Sequence, residues 1–178
     1  LINGILINIP ERHLYLYQNG KVVRDYPIAV GKSATPSPIG NRTIINKCKY
    51  PSWTPPWGGK TVPPGPNNPL GTRWMGLGDG YGIHGTNAPS SIGKVVSHGC
   101  IRMYSKDAEQ LYELVSVGTP VKLVYETLKI VEDPNTHEYY LKVFPDIYGK
   151  GTTSVGKLKE ILQQAGLYSG QSDAELLT

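Results

Sequence analysis

The chain has 178 residues, 39% hydrophobic and 18% charged, with a formal net charge of +4. That composition excludes a disordered or collagen-like chain, and the length suits one domain or one domain with a small appendage. The positive balance suits an anionic partner such as an acidic cell-envelope polymer, whereas the lack of a dense Lys/Arg stripe or of a nucleic-acid-reading motif argues against nucleic acid. Glycine (21) and proline (15) together make up about a fifth of the chain, and twelve tyrosines stand against one phenylalanine. Both features favour a strand-rich, loop-rich fold over a helical bundle. No apolar run is long enough to span a membrane and no signal-peptide pattern is present. The opening Leu1, in place of a methionine, reads as the start of a processed or excised piece.

Ile5, Ile7 and Ile9 alternate with Leu6 and Asn8 and predict a first strand that Pro10 stops. His13–Tyr17 and Val22–Val30 are β-rich runs around Asn19-Gly20, the strongest short-range hairpin signal there is. Thr35–Gly40 reads as a turn and Arg42–Asn46 as a further strand. From Pro51 to Gly71 the chain is dense in proline and glycine with Trp53 and Trp57 embedded. Such a segment is either a functional lid or a stiffened surface loop pinned by its tryptophans. Beyond residue 104, Ser105 is expected as the N-cap of a helix carrying Ala108, Leu111, Tyr112 and Val115 on one face and ending at Gly118. Val121–Tyr125 resumes strand character. Leu128–Val131 and Tyr139–Phe144 form a second hairpin through Asp133-Pro134-Asn135, and Val155, Leu158, Ile161, Leu162 and Ala165 fall at helical spacing before Gly166.

The run Ser97-His98-Gly99-Cys100-Ile101-Arg102, with Ile83-His84-Gly85-Thr86 upstream, carries the chemistry. A thiol needs a base or a positive charge beside it to become the reactive thiolate, and flanking glycines let backbone N–H groups face a developing oxyanion. Zinc would want three or four ligands, yet no Cys-x-x-Cys or His-x-x-x-His pair occurs. The bland alternative, buried unreactive residues, weakens when both turn motifs occur together. His13 and His137 are expected to be solvated, Arg73 structural and Cys48 a bystander. A Cys48–Cys100 disulfide would silence the nucleophile.

Ile83–Thr86, Ser91-Ile92-Gly93 and Ser97–Met103 resemble the signature of L,D-transpeptidases, the YkuD-type catalytic domain. Leu14-Tyr15-Leu16-Tyr17, Val30-Gly31-Lys32, Thr35-Pro36-x-Pro38-x-Gly40 and Asn68–Met75 resemble its earlier segments, so the similarity runs from about Ile5 to Tyr125. The resemblance implies a mainly β fold with some α: a β-sandwich of mixed sheets with a helix packed against it, plus a C-terminal hairpin like the one longer members carry. The C-terminal helix after Val155 rests on its spacing alone and lies outside the resemblance. Residues 1–126 would be the catalytic domain and 127–178 an extension packed on it. Cys100 would be the nucleophile and His84 its base, oriented by the Gly85 carbonyl. Ser97, His98 and Gly99 would support the motif loop, with N–H groups of Gly99 and Cys100 as oxyanion donors. Arg102 would clamp a substrate carboxylate or brace the loop, and Tyr81 and Trp74 would line the substrate groove or take a core or rim role. The implied reaction is acyl transfer between peptidoglycan stem peptides in the bacterial cell envelope, giving 3→3 cross-links without metal or cofactor, and open to acylation by carbapenem-type β-lactams. Hydrolysis of the same stems (an L,D-carboxypeptidase) and a non-catalytic wall-binding module are the alternatives.

Overall fold

The computed structural model describes residues 1–176, which divide into two compact units, one from Leu1 to Val124 and one beginning at Tyr125. In chain order the first unit holds β1 (Gly4–Asn8), β2 (His13–Gln18), β3 (Lys21–Pro27), β4 (Val30–Gly31), β5 (Gly40–Thr43), β6 (Asn46–Lys49), β7 (Arg73–Gly78) and β8 (Tyr81–His84). It continues with β9 (Val95–Ser97), β10 (Ile101–Arg102), α1 (Ser105–Leu114) and β11 (Pro120–Val124).

The opening strands fold as their alternation requires. β1 to β3 form an antiparallel meander, and the β2–β3 turn places Asn19 (φ 53°) and Gly20 (φ 76°) both in the left-handed region. That geometry matches a turn whose twist suits a hairpin. β11 pairs in parallel with β1 and β5 lies antiparallel to β11, giving the order β3-β2-β1-β11-β5. A second sheet runs β10-β8-β7-β6, with β10 parallel to β8, and β4 pairs with β9. The result is the mixed-sheet β-sandwich expected. Ile5, Ile7, Leu14, Leu16, Val121 and Leu123 of the first sheet, and Met75, Leu77, Ile83 and Ile101 of the second, are buried. Each such side chain contributes roughly 1.5–3 kcal/mol relative to exposure.

Two local expectations change. The strand expected over Arg42–Asn46 splits between the sheets: Ile44 N–H donates to Thr119 O (3.0 Å) beside β11, and Ile45 N–H to Gly76 O (2.9 Å) on β7. One extended run with apolar residues at both 44 and 45 cannot distinguish a strand from a crossover, because either is extended backbone. The second change concerns α1, which begins at Ser105 rather than being capped by it; the Ser105 hydroxyl donates instead to Thr86 O (3.2 Å). The helix also stops at Leu114, short of Gly118. Ala108 and Leu111 are buried, as is Val115 just beyond the helix end. Lys47 Nζ donates to Tyr112 O (2.7 Å) and Val115 O (2.8 Å), so a β6 lysine satisfies carbonyls at the helix C-terminus. A cation there also complements the helix dipole.

In the second unit, β12 (Leu128–Glu132) and β13 (Tyr139–Val143) form the expected hairpin, whose turn is braced by Asp133 Oδ1 accepting from Asn135 N–H (2.8 Å). The helix α2 (Val155–Gln164) starts on an N-cap hydroxyl, Ser154 Oγ accepting from Lys157 N–H (3.1 Å). A short α3 (Asp173–Leu176) follows.

Lys47→Met removes the two charge-assisted bonds at the end of α1. It is expected to lower unfolding free energy by about 2 kcal/mol, read from the urea midpoint at unchanged m-value.

Candidate active site

Strand register builds the site. Across β6, β7, β8 and β10 the residues Cys48, Trp74, His84 and Arg102 are direct partners, and Asn46, Gly76 and Gly82 form the neighbouring row on three of those strands. Directly opposed residues share a face of the sheet. All four of the first row line one cleft of about 640 Å³, together with Ser97, His98 and Cys100. The far wall is the proline-rich segment expected to be either lid or loop. It is a small hairpin, with Trp53 and Val62 exchanging backbone bonds (2.9 and 2.7 Å) and Thr54 and Thr61 hydroxyls 2.8 Å apart. Its base is closed by buried Asn68, whose Nδ2 donates to Pro51 O (2.7 Å) and whose Oδ1 accepts from Leu70 N–H (2.8 Å). Near its tip Trp57 packs edge-on against Trp53 and reaches His98, the ring centroids 5.5 Å apart.

The loop bearing Cys100 is held from inside and beneath. Ser97 Oγ donates to Cys100 O (2.6 Å) and accepts from Gly99 N–H (3.1 Å). Lys32 N–H and the Thr35 hydroxyl both donate to Ser97 O, each at 3.0 Å. The buried Ser37 hydroxyl accepts from Gly31 N–H and donates to Gly99 O, each at 2.9 Å. Only glycine fits at 99: its φ is 117°, and a Cβ there would come within 2.6 Å of the Tyr81 ring. The Val30–Ser37 segment thus cradles the Cys100 loop from far upstream in the chain.

Electrostatics favours neutral groups at rest. Cys100 Sγ lies 3.7 Å from Gly80 O. Burial pushes the thiol up from its ordinary value, and only secondarily do a hydrogen bond from Gly82 N–H and the charge of Arg102 pull it down. His84 is buried, and burial drives it down to about 4 against the opposing effect of its bond to Gly85, with Arg102 lowering it further. Its Nδ1 lies 2.5 Å from Gly85 O. A carbonyl only accepts, so Nδ1 carries the proton and Nε2 keeps a lone pair.

Of the residues expected at the site, Cys100, His84, Ser97, His98, Arg102 and Trp74 line the cleft, and Gly85 meets His84 through its carbonyl. Gly99 N–H is engaged by Ser97 Oγ. Tyr81 packs on Gly99, with the Arg42 guanidinium 5.1 Å from its ring, and is not among the cleft-lining residues. Arg73 stacks over Tyr50 and Tyr112, and His13 and His137 pair with Asp25 and Glu132. Cys48, expected as a bystander, sits on the cleft wall as a free thiol like Cys100. No group of three His, Cys, Asp or Glu side chains placed to hold a metal occurs among the described residues. Sequence reasoning missed Ser37, Asn46, Asn68 and Gly82, because polar side chains and glycines in loops and strands carry no periodic signal. The Thr35-Pro36-Ser37 turn was the one hint.

Two expectations follow from these burial effects. A buried neutral histidine is protonated more readily in the unfolded chain, so stability is full above the ordinary value near 6.5 and declines as pH falls toward 4. The loss should reach about 3 kcal/mol in urea titrations across that window, with a shallower slope in His84→Gln. Near pH 7, iodoacetamide should alkylate exposed Cys48 before Cys100, as peptide mass mapping would record; faster reaction at Cys100 would mean a resting thiolate.

The chain matches the family model of the L,D-transpeptidase catalytic domain over residues 2–123. It is 42% identical over 120 residues to the protein named L,D-transpeptidase YkuD in Bacillus licheniformis, covering 67% of this chain and 64% of that relative. The fold is similar to the catalytic domain of the Enterococcus faecium L,D-transpeptidase, with a TM-score of 0.57 at 27% identity, covering 68% of this chain and 96% of that one. It is similar also to the carbamoyl enzyme of Ldtfm with avibactam, with a TM-score of 0.58 at 28% identity, covering 70% of this chain and 49% of that one. A thiol and a neutral imidazole on one cleft, within a mixed-sheet sandwich matched over most of its length, place the chain in the YkuD family of L,D-transpeptidase catalytic domains.

Proposed function

We propose that the chain forms 3→3 cross-links between peptidoglycan stem peptides in the bacterial cell envelope, with Cys100 as the acyl carrier. The observation that carries this reading is a half-buried thiol on the same cleft as a buried imidazole whose Nδ1 is committed to Gly85 O and whose Nε2 can take a proton. His84 Nε2 accepts the Cys100 proton as the sulfur attacks the carbonyl that follows the L-centre of diaminopimelate or lysine in a tetrapeptide stem. The tetrahedral oxyanion meets Cys100 N–H and the charge of Arg102. His84 then protonates the departing nitrogen, D-alanine leaves, and a thioester remains. An amine of a second stem attacks that thioester, giving its proton to His84, which returns one to the released sulfur. The cycle conserves every proton and needs no redox partner.

Burial of the thiol favours general-base activation at the moment of attack over a standing thiolate–imidazolium pair. The half-buried position of Arg102 beside His84 on β10 supports a role for it in holding a substrate carboxylate or the oxyanion. Water in place of the acceptor amine would give hydrolysis; the apolar wall of Trp53, Trp57 and Leu70 favours a cleft that excludes it. The carbamoyl enzyme of Ldtfm with avibactam supports reading this cleft as open to acylating inhibitors, which here would act on Cys100.

Intact-mass measurement with a carbapenem should show one adduct on the wild type and none on Cys100→Ala. In His84→Ala adduct formation should slow by about 10² or more. With purified tetrapeptide stems, a cross-linked dimer supports transfer, and tripeptide alone would make the activity a carboxypeptidase. Wall binding that survives Cys100→Ala, with no adduct on the wild type, would leave only a binding module.

A further inference from the structure

The indole of Trp74 is built into the site by features that simple packing does not require. Its ring is stacked on the His84 imidazole, the centroids 5.8 Å apart at an interplanar angle of 17°. Its Nε1 donates to Asn46 Oδ1 (3.0 Å) on β6. Between those two anchors the ring lies flat on β8, and it does so because residue 82 has no side chain: a Cβ at Gly82 would come within 2.4–2.7 Å of three indole carbons. The next strand repeats the device, since a Cβ at Gly76 would meet Asn46 Oδ1 at 2.2 Å and Trp74 Nε1 at 3.1 Å. The row Asn46–Gly76–Gly82 is thus a groove in the sheet face, cut to the shape of an indole and its amide anchor.

Taking His84 as the base proposed above, we infer that Trp74, held by Asn46 on the Gly76–Gly82 groove, is a positioning residue that fixes the His84 ring and screens its face from water. The Gly85 carbonyl restrains the imidazole in its plane through Nδ1, and the indole restrains it across its face; together they fix both side-chain torsions. The same contact removes water from the ring and so disfavours the imidazolium. Arg102 on β10 is the charged group acting on the imidazole, and Cys100 is the titratable partner from the nucleophile loop. From α1 the Ser105 hydroxyl meets the backbone at Thr86, and the anchors Asn46 and Trp74 are themselves neutral. Removing the indole therefore lets the imidazole hydrate without adding or deleting a charge.

The test is an NMR titration of the His84 ring, beside the pH profile of carbapenem acylation by intact mass, in wild type, Trp74→Phe, Trp74→Leu and Asn46→Ala. In Trp74→Leu the His84 titration should move up from about 4 toward the ordinary 6.5, by about one unit or more. The acid limb of acylation should rise with it, so for a one-unit shift the rate falls by about threefold near pH 4.5 and hardly at all near pH 8. Trp74→Phe should keep the stack and the wild-type profile, and Asn46→Ala should shift both readouts in the same direction by less. An unchanged His84 titration in Trp74→Leu, or an equal loss of rate at every pH, would overturn the inference. Should Trp74→Leu fail to fold, an Asn46→Ala protein with a wild-type titration would overturn it equally. The NMR readout does not depend on activity: a wild type that is never acylated, with His84 still moving on Trp74→Leu, defeats the catalytic reading and upholds the positioning one.

Discussion

The two-residue parallel ladder between β8 and β10 joins the His84 strand to the Cys100 loop. Ile101 opposes Ile83 and Arg102 opposes His84, and Met103 N–H extends the pairing by donating to His84 O (2.8 Å). Ile83, Ile101 and Met103 are buried, so a slip of one residue would turn them toward the cleft and send His84 and Arg102 into the core. Hydrophobic burial on one face therefore enforces chemical register on the other. Everything upstream, from the Ser37 clamp to the Asn68 staple, refines the position of groups this ladder has already brought together.

Burial gives the site its electrical character. A cleft walled by tryptophan and proline removes water from both thiol and imidazole, and each responds by favouring its neutral form. Gly82 N–H and Arg102 favour a sulfur anion, but they are weaker influences than desolvation here. The same low-dielectric setting strengthens those contacts once charge develops on sulfur or on a substrate oxygen. An arrangement that favours neutral groups until charge develops suits the acyl-carrier role proposed for Cys100.

Legibility differed sharply from element to element. The β2–β3 hairpin was readable because Asn-Gly has one favoured geometry, and α1 because its buried positions recur at helical spacing. Its ends were less so: Lys47 closes the C-terminus from another strand, and no residue within the helix announces that. The Arg42–Asn46 run looked like a single strand since extended backbone reads alike on one sheet or on two. The tryptophans of the Pro51–Gly71 segment were visible as unusual, yet their place on the cleft wall depends on Asn68 reaching back to Pro51 O, a contact seventeen residues distant.

The sequence by itself determined the chemistry on offer and the class of the fold. Cys100, His84, Gly85 and Ser97 stand in turn-forming contexts that nucleophilic catalysis uses, composition and strand periodicity favour a strand-rich fold, and the resemblance to L,D-transpeptidases implies the mixed β-sandwich. Tertiary structure alone decided which groups meet. It packed Tyr81 on Gly99, engaged Gly99 N–H with Ser97, and laid Trp74 across two glycines against the His84 imidazole. The physical reason is that local sequence sets backbone preference and side-chain type, whereas a stacking partner, a buried amide anchor or a missing Cβ acts only between strands whose pairing and register arise from the whole core.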